Sequence, residues 1–218
     1  MKYLAFEEYK KLYLKYLEYG RSPEAFLKED GDLSGKIVID LCCGNGRLGN
    51  LALKKGANTV YFVDGCLDMM TDISPVINAK KIVTNLRVQG VCPYIPEESV
   101  DVIFCQQAIN YVFCEYLLKA LCIVLKQGGK FIFNTFKHKP PSMPQIDSYH
   151  CDGYNFTEVS WSDTCDNIYH VQIREGRAPH SHSFKYFSQD QYSLLLSEFF
   201  TVECKDNGKS LVYICQKK

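Results

Sequence analysis

This chain of 218 residues lacks net charge, lacks a long apolar run and lacks any CxxC cysteine pair. Each absence excludes something. Lysine plus arginine number 25, as do aspartate plus glutamate, so the formal charge is zero. A nucleic-acid partner calls for a basic face to meet its phosphates, which this balance does not favour. No run of about 18 apolar residues occurs, so no membrane-spanning helix is expected. The opening MKYLAFEEYKK has no continuous apolar stretch of the signal-peptide kind. Together these predict a cytoplasmic protein with neither nucleic acid nor membrane as partner, present as a monomer or a homodimer. No CxxC pair stands among the 11 cysteines. Cys42, Cys43, Cys105, Cys122 and Cys215 lie instead inside apolar runs, as small hydrophobes do in a reducing compartment, and no metal site is expected. Repeats, linkers and low-complexity segments are absent, so residues 1–218 are expected to form a single domain.

What is present is an alternation of strand-like and helix-like segments. Residues 1–29 carry Tyr9, Leu12, Tyr13 and Tyr16 at helical spacing. Gly20 interrupts the pattern, and Ser22-Pro23 restarts it with a capping residue followed by a first-turn proline. Lys36–Leu41 (KIVIDL) is nearly all apolar, as a parallel strand buried on both faces is. Further strands are expected at Thr59–Val63, Leu86–Gln89, Val100–Phe104 and Lys130–Thr135. Helices are expected at Arg47–Lys55, Leu67–Ala79 and Phe113–Lys126, the last stopped by Gly128-Gly129. Such alternation implies a parallel sheet with right-handed crossovers. His138–Ser188 is polar, holds Pro140, Pro141 and Pro144, and includes the strand-like IYHVQI and HSFKYF. It reads as an inserted loop with antiparallel strands. A helix over Ser188–Phe199 and a hairpin turning at Asn207-Gly208 complete the chain.

The sharpest motif is VIDLCCGNGRLG at residues 38–49, set between a strand and a helix. Glycines there let backbone approach a ligand, and the helix start offers free N–H groups. Asp64, at the end of the next strand, is placed to accept both hydroxyls of a ribose. Taken alone, Gly44–Gly49 also fits a nicotinamide-dinucleotide turn. Three features count against that: the long helical segment before the motif, the closing hairpin, and Asp40. A carboxylate four residues before Gly44 suits a cationic ligand better than a pyrophosphate.

On these motifs the chain resembles class I, Rossmann-like S-adenosylmethionine-dependent methyltransferases. VIDLCCGNGRL is similar to that family's first motif, YFVDGCLDMM to its ribose-binding second, SVDVIFCQQAINYV to its fourth-strand motif, and Gly128–Phe131 to the entry of its fifth strand. The resemblance implies an α/β three-layer sandwich with a mostly parallel seven-stranded sheet, an antiparallel last strand, and a small antiparallel insertion over the active site. It implies S-adenosylmethionine as cofactor, with S-adenosylhomocysteine as product. Asp40, Cys42, Gly44 and Gly46 would hold the methionine half, with Arg21 at its carboxylate. Asp64 and Gly65 would take the ribose, and Met69, Val91 and Cys92 would border adenine. Cys105 and Gln106 would lie beside the methyl group. Residues 1–30 would form a helical lid and residues 137–187 a substrate-side cap, similar to small-molecule N- and O-methyltransferases. The chain departs from the pattern twice: Cys42 stands at the family's first glycine, and Gly90-Val91-Cys92 lacks the acid that often meets the adenine amino group.

Methyl transfer from a sulfonium is an in-line displacement, so the protein need supply only alignment and a dry pocket, with a base where the nucleophile arrives protonated. Gln107, Asn110 and Tyr111 are the candidates to orient a polar acceptor and His170 the candidate base. That two of the first three only cap the following helix is the competing reading. His170, His180 and His182 are open to three readings: exposed strand residues, acceptor contacts, or ligands of a metal. The (D/N)PP(Y/F) tetrapeptide of enzymes acting on exocyclic or amide nitrogens is absent. A small-molecule methyl acceptor is therefore expected. A protein or RNA methyltransferase and a non-catalytic S-adenosylmethionine-binding scaffold are the alternatives.

Overall fold

The computed structural model describes residues 23–151, 154–176, 179–208 and 210–218. The helix expected over residues 1–22, with Arg21, lies outside them. The described chain divides into two compact units, one holding residues 22–135 and 189–218 and the other residues 136–188.

The larger unit is built on seven strands. β1 (Ile37–Leu41), β2 (Thr59–Asp64), β3 (Ala79–Val83), β4 (Val100–Cys105) and β5 (Leu125–Phe136) come first, and β10 (Phe200–Asp206) and β11 (Ser210–Lys217) close the chain. Their order is β10-β11-β5-β4-β1-β2-β3, a mostly parallel sheet with one antiparallel strand. β1 pairs in parallel with β2 on one side and β4 on the other, Asp40 lying level with Phe62 and Phe104. The chain order thus reverses direction beside β1, and the crevice at such a reversal is where open α/β sheets bind ligands. β10 and β11 form the expected antiparallel hairpin about Asn207-Gly208, with Gly208 at φ 86°.

Burial explains why these runs are strands. Val38, Ile39, Val60, Phe62, Val102, Phe104 and Ile132 are all fully buried. Apolar side chains of this size stabilise by about 1.5–3 kcal/mol each when removed from water. α1 (Pro23–Leu27) starts at the expected proline and adds Phe26, whose ring lies 5.9 Å from that of Phe104. α2 (Arg47–Lys54) buries Leu48, Gly49 and Ala52. It can lie close to the sheet because Gly49 has no side chain: a Cβ there would fall 2.3 Å from Phe62 Cε1. α3 (Ile109–Val112), α4 (Glu115–Val124) and α5 (Gln189–Leu196) complete the unit.

Three expected elements are corrected. The helix expected over Phe113–Lys126 ends at Val124, not at Gly128-Gly129, because Leu125 turns extended to pair with Val100 and both glycines lie within β5. Leu67–Ala79 is not a helix. Only Leu67–Met69 makes a short 3₁₀ turn, and residues from 79 onward enter β3. Pro75 removes a backbone donor from the middle of that stretch, and Val76 and Ile77 are exposed, so no buried apolar stripe sustains a helix there. Likewise the third strand is Ala79–Val83, not Leu86–Gln89. It is an edge strand, and its lysines at 80 and 81 hide the apolar signature.

The smaller unit is a four-stranded antiparallel sheet in the order β6-β7-β8-β9, formed by Gln145–Cys151, Tyr154–Ser162, Asn167–Arg174 and His180–Lys185. Aromatic stacking supports it. Tyr149 stacks on Phe156 at 5.2 Å, Trp161 on Tyr169 at 5.3 Å, and Phe136 on Phe184 at 5.3 Å.

Candidate functional site

The carboxyl ends of β1, β2 and β4 gather most of the residues singled out from the sequence. The β1 end carries Asp40, which is 3% exposed. Its Oδ2 accepts the Gly49 N–H at 2.8 Å and so ties the strand to the first turns of α2. Burial pushes its carboxyl up to about 8, opposed by the Gly49 bond and aided by the nearby negative charge of Asp64. The half-buried carboxylate of Asp64 accepts the Gly44 N–H at 2.9 Å on one oxygen and the Cys66 N–H at 3.0 Å on the other. Its pKa too is raised by burial, with the Gly44, Cys66 and Gly65 amides pulling the other way.

Between these carboxylates the chain makes a tight turn. Cys42, Gly44 and Gly46 all have left-handed φ, at 56°, 50° and 79°. Cys42 adopts this left-handed conformation although it bears a side chain, which makes it a strained residue in the turn. At Gly46 no side chain fits, because a Cβ would lie 2.5 Å from Ile73 Cγ1 and 3.1 Å from Phe62. The Cys42 thiol is held protonated well beyond its ordinary range, first by its contact with the Cys105 thiol, then by burial and the negative charge of Asp64.

The turn's amides decide what it can bind. Cys43 donates to Val63 O at 3.1 Å, Gly44 to Asp64, and Gly46 to Cys43 O at 2.8 Å. With three N–H groups already used and two carboxylates flanking them, the turn does not present the donor nest a pyrophosphate needs. Each Asp64 oxygen accepts one backbone amide in these bonds, and a carboxylate oxygen has room for a second donor. Hydroxyls and a cation fit this site, so the residues present suit S-adenosylmethionine, which has both and no phosphate.

The residues expected to border adenine lie after β3, apart from Met69. Thr84, 3% exposed, donates its hydroxyl toward Gln89 Oε1 at 3.1 Å and Gly90 O at 3.3 Å, while its N–H reaches Asp64 O at 2.9 Å. It fixes the loop that delivers buried Val91 and half-buried Cys92, whose thiol meets Ala120 O at 3.5 Å. Met69, in the 3₁₀ turn, is buried. At the β4 end, Cys105 is buried and Gln106 half-buried. Gln107 follows with φ 60°, its N–H donating to Asn134 Oδ1 at 2.7 Å. Asn110 and half-buried Tyr111 sit together in α3, and Asn110 Oδ1 accepts the Thr135 hydroxyl at 2.8 Å. Thr84, Asn134 and Thr135 were missed from sequence. The only signal was a polar pair ending the apolar run FIFNT.

His170 belongs to the other unit. Its Nε2 lies 3.8 Å from Glu158 Oε2, and its buried Nδ1 has no hydrogen-bond partner among the described residues. β8 and β9 set it level with His182, ring centroids 4.8 Å apart. Ten cysteines are described, all free, with Cys43, Cys105 and Cys215 buried and Cys42 and Cys122 partly so. Among the described residues no helix is long and apolar enough to cross a membrane.

Comparison with known proteins agrees with this geometry. Residues 38–129 match the model of a methyltransferase domain. A curated relative, a ribosomal protein L11 methyltransferase from Psychrobacter arcticus, is 37% identical over 94 residues, 41% of this chain, and the match spans 28% of that relative's length. An S-adenosylmethionine-dependent methyltransferase from Clostridium acetobutylicum shares the fold with a TM-score of 0.77 at 15% identity, over 98% of this chain and 99% of that one. So does an amino pentose methyltransferase of calicheamicin biosynthesis from Micromonospora echinaspora, solved with S-adenosylmethionine bound. Its TM-score is 0.70 at 12% identity, over 100% of both chains. The ligand-side turn lies inside the segment that matches a methyltransferase domain, and the chain shares the fold of S-adenosylmethionine-dependent methyltransferases.

Proposed function

We propose that the chain transfers a methyl group from S-adenosylmethionine to a nitrogen or oxygen of a small molecule. The observation that carries the reading is Asp64, one of whose oxygens accepts the Gly44 amide of the glycine turn while the other accepts the Cys66 amide. In this reading Asp64 and Gly65 hold the ribose, and Met69, Val91 and Cys92 border adenine. Asp40, Cys42, Gly44 and Gly46 hold the methionine half with Arg21. Cys105 and Gln106 line the methyl side. When bound, the cofactor supplies an electrophilic methyl on a sulfonium with a neutral thioether leaving group. Tyr111 and Asn110 orient the acceptor, and His170 accepts a proton where the acceptor arrives protonated. Balanced charge and the whole-length likeness to an amino pentose methyltransferase support a small acceptor. Free cysteines among the described residues support a cytosolic setting.

A protein acceptor is the second reading, favoured by the match to a ribosomal protein L11 methyltransferase. Calorimetric titration with S-adenosylmethionine, S-adenosylhomocysteine and NAD tests the cofactor. Micromolar binding of the first two without NAD is expected, and binding of NAD alone overturns the reading. A methyl-transfer screen of small amines and phenols against ribosomal proteins then separates the two acceptor classes. Tight product binding with no turnover on either would instead favour a non-catalytic scaffold.

A further inference from the structure

Asn134 and Thr135, adjacent at the end of β5, both hold the segment that follows β4. The Asn134 carboxamide is 4% exposed and accepts the Gln107 N–H at 2.7 Å. Gln107 is one of four non-glycine residues with positive φ in the described chain. A left-handed glutamine persists only where its surroundings over-determine it, and such strain concentrates at functional sites. Three residues on, the Thr135 hydroxyl donates to Asn110 Oδ1 at 2.8 Å and lies 3.3 Å from Tyr192 Oη. Tyr192 is wholly buried, with its ring 4.6 Å from that of Phe113, just past α3, and 5.4 Å from that of Phe133 on β5. The segment from Gln107 to Phe113 is therefore fixed at both ends to β5 and α5, and Gln106 and Tyr111 take their directions from it.

We propose that Asn134 is a positioning residue for methyl transfer, its buried carboxamide holding Gln107 left-handed and so setting how Gln106 meets the cofactor. This rests on the methyltransferase reading above. The chemistry asks for one acceptor, aimed at a backbone N–H, in a place where a lost bond leaves a buried polar group unsatisfied. Asparagine supplies it without burying a further ionisable group.

The test is S-adenosylhomocysteine affinity together with amide hydrogen exchange on the full chain. Asn134→Leu keeps the volume and removes the acceptor. It should weaken product binding about tenfold and speed exchange over residues 106–112, while the β1 and β4 amides keep their protection. Asn134→Asp restores an acceptor oxygen and should recover protection of the Gln107 amide. Combining Asn134→Leu with Gln107→Gly should recover affinity, because glycine adopts a positive φ unaided. Where Asn134→Leu does not fold, Asn134→Ser, too short to reach the amide, carries the same expectation. Unchanged affinity beside faster exchange at residues 106–112 would overturn the proposal, leaving Asn134 a purely structural contact. Absence of product binding by the unaltered chain would instead overturn the methyltransferase reading.

Discussion

Asp64 and Gly44 are twenty residues apart in sequence, and the carboxylate of the one holds the backbone amide of the other at 2.9 Å. This contact draws the end of β2 against the turn after β1. Exchanging Asp64 for alanine removes the turn's anchor and, on the proposed function, the ribose acceptors. Affinity for S-adenosylmethionine should fall about a hundredfold, as expected when one or two hydrogen bonds to a charged group are lost. Calorimetry measures this directly, and unchanged affinity would mean that the ligand lies elsewhere.

Asp40 makes stability depend on pH. Its carboxyl is pushed up to about 8 by burial, from 3.8 when unfolded. The folded chain therefore holds a proton that the unfolded chain releases between these values. The associated stability is complete below pH 4 and is lost as pH rises toward 8. Asp40→Asn keeps an oxygen for the Gly49 amide and cannot ionise. Denaturant melts between pH 5 and 9 should show a flatter profile for this variant than for the parent. Parallel profiles would show that Asp40 is already ionised at neutral pH.

A cationic ligand should favour ionised Asp40, so binding of S-adenosylmethionine is expected to release protons near pH 7 and to strengthen as pH approaches 8. Titrations in buffers of different ionisation enthalpy count those protons. Asp40→Asn should abolish the release, and release persisting undiminished in that variant would assign it to another group.

Gly46→Ala places a methyl group 2.5 Å from Ile73 Cγ1 in a backbone with φ 79°. Overpacking and left-handed strain together should cost about 2–4 kcal/mol, measurable as a shifted urea midpoint at unchanged slope. A loss below about 0.5 kcal/mol would show that the turn relaxes.

Thr135→Val is nearly isosteric and removes the hydroxyl between Asn110 and Tyr192. It should destabilise the chain by about 1–3 kcal/mol, because the Asn110 carbonyl loses this donor in a buried place. A stability equal to the parent's in thermal melts would mean that water or a neighbour replaces it.

The sequence revealed what depends on burial over several residues. KIVIDL and VDVIF are strands because both faces are covered, and Asp40 and Asp64 could be singled out because a carboxylate ending such a run is conspicuous. β3 was misplaced since an edge strand needs no apolar alternation, and Ala79–Val83 carries two lysines. The helix expected at Leu67–Ala79 was suggested by spacing alone, which cannot register that Val76 and Ile77 have nothing to pack on. Asn134 was illegible for another reason. Its importance lies in one hydrogen bond to a residue 27 positions earlier, and no local pattern encodes that pairing.

The chain leaves the seven-stranded sheet near Phe136 and rejoins its unit at Gln189. Every strand order and register of that sheet is set by residues on either side of the excursion. Lengthening, shortening or rewriting residues 137–187 therefore breaks no ladder around Asp40 and Asp64. That stretch can thus vary in length and sequence without a matching change in the strands that place the two carboxylates.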